Sequence, residues 1–512
     1  MFAARRNVWL FWLGSLVVTV GVALHLPMYW MGRHMGFHLA GMAMDSGMMW
    51  GMVLILVGLA MTAIGLLPTV ATADRPFIIV VPPEDAPLNG AHWLTLFVMA
   101  IALVIDIMKP ASLGFVSPGM QAEYGLSASV TAILPFAALA GTVAGSFAWG
   151  WLADRYGRRA SILLSSIMFV GTSICGAMPD FWWNVGMCFL MGAAAGGMLP
   201  VAYALLAEIM PTRHRGWCLV LVGGVGAVGG YFAASALSAW LQPDWSWRVL
   251  WFLNLPTGLI LIGLSPLIPE SARFLEHIGR GDEARAMLAR FGVTTHCLAD
   301  PLTAGDGPGP GILSPLDRRL GLTTALTLAA VAWGLVNFGL LLWLPGALVA
   351  DGRSVGAASG LIARSTLIAA PTILLVAWLY SVWSTRGALA LMLGFTLLGL
   401  VGLLYGHPGE AGLGDPILPL ALLIVGSSGV ISILLPYTAE TYPLTVRGRA
   451  TGWIAGCTKV GGLLAQGLVV LGAAPPLGVV AAGIAAPMAV ALILIVKFGK
   501  ETRGLDLRDI GS

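Results

Sequence analysis

The sequence predicts an all-α polytopic membrane protein of about fourteen transmembrane helices, arranged as a hairpin of two followed by two halves of six. Three observations carry this. Composition is 58% hydrophobic and only 10% charged over 512 residues, far from the roughly quarter-charged surface that a soluble domain needs. Apolar runs of about 20 residues, enough to cross a hydrocarbon core at 1.5 Å per residue, recur from end to end. Helices are the form that satisfies the backbone within each such run. Finally, a polar pattern from the middle of the chain returns 232 positions later: Glu208-Ile-Met-Pro211-Thr-Arg-His-Arg215-Gly216 is matched by Glu440-Thr-Tyr-Pro443-Leu-Thr-Val-Arg447-Gly448.

The predicted spans run at about 8–30 and 48–70 in the hairpin. The first half follows at about 93–117, 128–152, 160–178, 183–209, 217–240 and 248–268, and the second at about 320–345, 357–380, 387–405, 416–439, 450–472 and 476–497. Four regions result: a hairpin and linker over 1–92, a first half over 93–268, a polar central segment over 269–319, and a second half with its tail over 320–512. The repeat extends into the spans, since Val228-Gly229-Gly230 returns at the same offset as Val460-Gly461-Gly462. Parallel repeats of this kind place a substrate between the halves near the midplane. Every repeated motif lies beyond residue 92, so residues after the hairpin are expected to fold without it.

Arg5 and Arg6 precede the first span, but no small-residue cleavage site follows it, so this is read as an uncleaved helix. With the amino terminus inside, nearly all Lys and Arg fall on inner segments, and the outer loops keep only Arg33, Arg248 and Arg353. That bias predicts a multi-pass protein of the cell membrane with both termini cytoplasmic. The five cysteines are scattered without C-x-x-C spacing and suggest neither disulfides nor zinc. No hydrolase triad, nucleotide loop or nucleic-acid patch is present. The chain is therefore expected to be no enzyme and to need no cofactor.

The loop after the second span of the first half reads Gly150-Trp-Leu-Ala-Asp154-Arg155-Tyr-Gly157-Arg158-Arg159. It resembles the G-x-x-x-D-R-x-G-R-R signature of the major facilitator superfamily in full. The resemblance covers residues 93–512 and implies two six-helix halves that alternate in access. It also implies an inner gate built on this loop together with Glu208, Arg215, Glu440 and Arg447. Both E-x-x-P-x-x-x-R-G segments, Pro269-Glu270-Ser271-Ala272-Arg273-Phe274-Leu275 and Glu501-Thr502-Arg503-Gly504 resemble the sugar porter and organic ion transporter branches. Ala272, Phe274 and Lys500 depart from those patterns, and Arg386 stands at the repeat position of Asp154. The paired glutamines of sugar porters are missing from the corresponding stretches 217–240 and 320–345. So is the Gly-Pro pair of proton-coupled drug exporters, where this chain has Val225-Gly226-Ala227-Val228.

Charges inside the spans point to the chemistry, because an ionisable group in hydrocarbon is costly and so functional by default. Asp106 is the one carboxylate deep in a span, roughly 20 Å from its start at Trp93. Burial favours its neutral form, and Lys109, three residues on, favours the charged one. The pair serves proton coupling, as acidic residues of this helix do in aromatic acid and sugar symporters that the chain resembles, or it is a static brace beside Pro110. Lys459 lies about 14 Å from the inner edge of its span. Arg364 lies about 10 Å from the outer edge, within reach of snorkelling. Together they resemble the basic residues of organic anion transporters, and an ammonium with a guanidinium suits a carboxylate. Tyr203, Asn337 and Tyr437 are candidates to line the same cavity, against the packing role most buried aromatics have.

The expected function is proton-driven symport of a small organic anion by a monomer embedded in lipid. The rivals are export of drugs or metabolites and, from the Met- and His-rich hairpin, a metal-handling or sensory role in which His34 and His38, one helical turn apart, would bind a soft ion. Methionine also fills gaps in ordinary packing.

Overall fold

The structure is a computed structural model describing residues 5–66, 88–292, 320–405, 417–442, 444–473 and 476–503. Within these it describes no side chains for Arg5, Arg6, Asp154, Thr212, Arg273, His277, Tyr405, residues 444–448 or Leu477. Thirteen helices of the described residues are long and apolar enough to cross a membrane, and a shorter apolar one lies between them. The hairpin is α1 (Asn7–Met35) and α2 (Ser46–Leu66). The first half is α3 (Gly90–Tyr124), α4 (Ala128–Ala153), α5 (Arg158–Ala177), α6 (Phe181–Ile209), α7 (Arg213–Trp245) and the short α8 (Val249–Gly263). Two small helices follow, α9 (Ala272–His277) and α10 (Gly281–Arg290). The second half is α11 (Leu320–Ala350), α12 (Val355–Val382), α13 (Thr385–Leu404), α14 (Ile417–Thr441), α15 (Arg449–Val470) and α16 (Gly478–Phe498). Thirteen of the fourteen expected spans fall on these long helices, and the one expected at about 248–268 falls on the short α8. The later part of the central segment and the end of the tail lie outside the described residues.

Small residues let these helices approach, because apolar side chains gain little from leaving lipid and packing must hold the bundle. In the hairpin, glycines seven apart (Gly14 and Gly21 on α1; Gly51, Gly58 and Gly65 on α2) form one interlocking seam. A β-carbon at Gly21 would stand 2.7 Å from the Gly51 carbonyl, and one at Gly58 would stand 2.7 Å from that of Gly14.

The sequence repeat is a repeat in packing. Gly229 and Gly230 of α7 seat against Val104 and Ile107 of α3, while Gly461 and Gly462 of α15 seat against Val331 and Phe338 of α11. The first and fifth helices of each half are thus joined by the same glycine pair. At the arginine-poor end the halves meet closely. A β-carbon on Gly114 would stand 2.5 Å from Leu342 O, Tyr231 Oη donates to Leu341 O at 3.0 Å, and the Ser238 and Ser359 hydroxyls bond at 2.8 Å. At the arginine-rich end a β-carbon on Gly216 of α7 would stand 2.8 Å from Glu440 Oε1 of α14.

The hairpin is fastened to the first half. Its buried side chains, among them Phe11, Val18 and Ile55, share a core with Leu163, Ile167 and Val170 of α5 and Phe252 and Ile262 of α8. Its loop is pinned through an ion pair at the arginine-poor end, where Arg248 and Glu123 meet at 2.6 Å, 0% and 4% exposed. Glu123 also accepts the backbone N–H groups of Leu39 at 2.7 Å and Ala40 at 3.1 Å, and Tyr29 Oη donates to Trp245 O at 2.7 Å. A buried carboxylate tolerates desolvation only when its oxygens are filled, and the hairpin supplies two of the donors.

Deleting residues 1–66 therefore strips donors from a buried charge as well as removing apolar contacts. The truncated protein, purified in detergent, is expected to melt at a lower temperature than the full chain. An equal melting temperature would show that the hairpin gives the first half nothing.

Candidate transport site

Charges from both halves converge on the middle of the bundle. Asp106 and Lys109 of α3 are 5% and 2% exposed. Neither Asp106 Oδ1 nor Lys109 Nζ meets a hydrogen-bond partner in the protein. Lys109 instead places Nζ 3.2 Å from the centre of the Phe169 ring on α5. An ammonium over a ring face keeps part of its solvation in an otherwise apolar place. Lys459 of α15 is partly buried and holds Nζ 4.9 Å from the centre of the Phe338 ring on α11. Asp106 interacts electrostatically with both lysines, so one carboxylate of the first half feels one cation of its own half and one of the other. Unlike the other unpartnered buried atoms of the described residues, these two belong to an acid and a base on one face in mid-span, which makes the place a candidate for a ligand.

Phe338 lies in a π-helical turn, Val336–Leu340, that interrupts α11. Gln466 of α15, fully buried, clamps it: its Nε2 donates to Phe338 O, and its Oε1 accepts Trp343 Nε1 at 3.3 Å. Such turns widen a helix and re-aim the residues they contain. Asn337, picked out in the sequence, sits inside this one and is partly buried, next to the ring that carries Lys459. The Tyr203 hydroxyl of α6 lies against Gly223, where α7 packs on Ser432 of α14 at the seam of the halves.

Two expected lining residues are not brought here. Arg364 is exposed on the same stripe of α12 as Leu367, Ile368, Leu374, Leu375 and Trp378, a face turned out of the bundle. Spacing along the sequence gives its depth but not its direction. Tyr437 is fully buried and donates to Lys500 O at 2.6 Å, so it fastens the tail to the arginine-rich end. In the hairpin, His34 and His38 are both exposed, and no group of three His, Cys, Asp or Glu among the described residues is placed to hold a metal.

The predicted gating residues form networks at the arginine-rich end. Gly157 takes φ of 101°, and a β-carbon there would stand 2.5 Å from Glu270 Oε2, so the turn between α4 and α5 requires glycine. Glu270 accepts the N–H groups of Arg158 at 2.9 Å, Arg159 at 3.3 Å and Ser271 at 3.0 Å, capping the start of α5, where the helix dipole favours an anion. Arg158 pairs with Glu208 at 3.1 Å, Arg159 donates to Ser265 O, and Arg155 lies over Trp151 and Tyr156. Burial pushes the Glu270 carboxyl up, opposed by those N–H groups and by the Arg159 charge. Gly150 faces open space, Arg215 is partly buried at the start of α7, and the side chains of Asp154 and Arg447 lie outside the described residues.

The second half repeats the device. Glu501, just beyond α16, accepts Thr385 N at 2.8 Å and Thr385 Oγ1 at 2.7 Å and so caps α13. Burial pushes its carboxyl up, but the donors from Ser384, Thr385 and Arg503 outweigh this and hold it below its ordinary value. Thr502 links it to Glu440, which takes Thr502 Oγ1 at 2.8 Å and Tyr380 Oη at 2.5 Å. In each half, then, a glutamate that follows the sixth helix returns to cap the third. The sequence shows both glutamates inside motifs, but their shared role needs the fold. Gln466, Phe338, Phe169 and the π turn were not picked out at all.

Two pseudo-equivalent six-helix halves around a central charge cluster define a secondary membrane transporter. Residues 92–466 match the Major Facilitator Superfamily, and the chain belongs to that family. It is 29% identical over 415 residues to the 4-hydroxybenzoate transporter of Acinetobacter baylyi, which covers 76% of this chain and 87% of that one. It is 23% identical over 449 residues to the niacin transporter of the same organism, with 84% and 98% covered. The gallate transporter of Pseudomonas putida is 27% identical over 421 residues, with 78% and 91% covered. Among solved structures, a proton:xylose symporter bound to 6-bromo-6-deoxy-D-glucose superposes with a TM-score of 0.65 over 82% of this chain and 98% of the other. At 17% identity that likeness is one of fold.

Removing the carboxylate cap tests the gate. Glu270→Ala is expected to insert normally but to carry solute several-fold more slowly, because the α4–α5 turn loses the two N–H contacts of Arg158 and Arg159. Uptake at the wild-type rate by a normally expressed variant would show that the cap plays no part.

Proposed function

We propose that the protein takes up a small aromatic carboxylate together with a proton. The observation that carries the reading is that Asp106, 5% exposed and with Oδ1 unpartnered in the first half, lies within electrostatic reach of Lys459 of the second. Niacin, 4-hydroxybenzoate and gallate, named for three relatives, are all aromatic monocarboxylates. A ring with one carboxylate suits a site that offers an ammonium beside the faces of Phe338 and, further off, Trp333.

In this reading Asp106, buried within reach of two lysines, is the group that exchanges a proton during the cycle. An arriving carboxylate pairs with Lys459 and neutralises its charge, and Asp106, losing that support in a water-poor setting, takes a proton. Substrate and proton then cross together as a neutral load. Lys109, over Phe169 and away from the other half, keeps the remaining charge balance in α3. Asn337 donates to the substrate from the π turn, and Tyr203 follows the seam as the halves rock. No cofactor enters, since the proton gradient drives accumulation. The arginine-rich face is cytoplasmic by the distribution of basic residues, and a monomer contains the whole path.

Two variants test the assignment. Lys459→Ala removes the ammonium that would pair with the carboxylate, so affinity for the aromatic acid is expected to fall about a hundredfold, roughly 3 kcal/mol. Asp106→Asn is expected to keep binding and to lose accumulation driven by a pH gradient. Calorimetry on purified protein and vesicle uptake with and without the gradient read the two effects. Unchanged affinity in Lys459→Ala, or gradient-driven uptake in Asp106→Asn, defeats the corresponding half of the reading.

A further inference from the structure

The hairpin is the part of the chain that the transport cycle leaves without a task. Its loop and the end of α7 border an open cavity of about 690 Å³ on the arginine-poor face, lined among others by Arg33, Phe37, Gln242, Asp244, Trp245 and Ser246. Ligand pockets for small molecules fall in this size range.

Three features set the place apart. Phe37 and Ser246 have φ of 62° and 64°, and among the described residues they are the two that are not glycine and have positive φ. Both line this cavity. Backbone in that region persists only where its surroundings enforce it, and such residues gather at binding sites. Here the enforcing contacts are visible: Phe37 N donates to Gly32 O at 2.7 Å, its ring stacks on Tyr29 at 4.8 Å, and Ser246 N donates to Gln242 O at 3.0 Å. Second, two aromatic residues, Phe37 and Trp245, stand in an otherwise mostly polar lining with their rings 6.1 Å apart, and Trp30 lies beside them, 5.9 Å from Trp245. Third, Arg33 makes no ion pair among the described residues and holds its guanidinium 5.2 Å from the Trp30 ring centre. A guanidinium laid on an aromatic shelf is pre-positioned to take a planar anion.

The cavity also adjoins the seam at which the halves close. Pro243 stands 3.3 Å from where a β-carbon on Gly356 of α12 would lie, and Gln242 Nε2 donates to Phe115 O of α3 at 3.1 Å.

We propose that this cavity is a second binding site for an aromatic carboxylate, outside the central path and at its external mouth. Arg33 pairs with the carboxylate, the Phe37 and Trp245 rings flank the body, and Asp244, exposed at the rim, accepts a hydrogen bond from a ring hydroxyl. The ligand class rests on the reading of the transport substrate, while the place and its groups do not. The chemistry required is an anion with an apolar body, which an acidic lipid headgroup shares, and the test separates the two.

Purified full-length protein carrying Lys459→Ala, in nanodiscs of neutral lipid, is titrated calorimetrically with 4-hydroxybenzoate and with benzoate. One weak site is expected to remain. Arg33→Ala or Trp245→Ala, added to Lys459→Ala, is expected to weaken it at least tenfold, Arg33→Lys to restore part of the loss, and Asp244→Asn to weaken 4-hydroxybenzoate more than benzoate. No residual binding, or binding that Arg33→Ala leaves unchanged, overturns the proposal. If nanodiscs containing an acidic lipid abolish the binding, the site belongs to a headgroup and the aromatic-acid assignment falls; equal binding in both lipids supports it. Uptake that survives Lys459→Ala would defeat the transport reading instead and is measured separately from Arg33-dependent binding.

Discussion

One carboxylate with two ammonium groups, held where water is scarce, sets the terms for this bundle. Charge in hydrocarbon is tolerated only when something answers it, and here the answer is incomplete: Lys109 has a ring face, Lys459 a ring face, and Asp106 only the fields of the two lysines. The contrast with the ion pair of Glu123 and Arg248 is instructive. That pair is just as buried, yet its oxygens and nitrogens are filled by Leu39, Ala40, Trp247, Gly176 and Met178. A satisfied buried pair fixes structure, and an unsatisfied cluster waits for a partner.

A transporter must also keep each half rigid while the halves move against each other. Glycine pairs weld the first and fifth helices within each half, and a glutamate beyond the sixth helix closes each half by capping the third. Between halves, beside apolar packing, the polar contacts include hydroxyl to hydroxyl at Ser238 and Ser359, hydroxyl to carbonyl at Tyr231, and the bare approach of Gly216 to Glu440. Such contacts break at small cost compared with a packed core, since the net worth of each hydrogen bond is of order 1 kcal/mol.

Much of this was legible before the fold, and the exceptions share a cause. Span number, the division into halves and the glycine repeat follow from hydropathy and register, which a linear pattern records faithfully. The depth of Asp106, Lys109 and Lys459 along their helices was also readable at 1.5 Å per residue. Azimuth was not, so Arg364 looked like a cavity residue and belongs to an outward stripe, and Tyr437 looked like a lining and ties down the tail. The π turn shifts residues of α11 against the 3.6 period, so Phe338 and its brace Gln466 gave no signal. Glu270 and Glu501 lie in recognisable motifs, but their common role joins segments more than a hundred residues from their targets. The hairpin's glycines stand at seven-residue spacing, but which helix they meet is set only by the fold.

The central claim is that anion and proton cross as one load, and flux measured on both sides of the same membrane addresses it most directly. Wild-type protein is reconstituted in proteoliposomes holding a pH-sensitive dye, with no imposed gradient, and an aromatic carboxylate such as 4-hydroxybenzoate is added outside. The account predicts that the lumen acidifies as labelled substrate enters, with a fixed ratio of protons to substrate across concentrations. Substrate entry with no change in lumenal pH would contradict it.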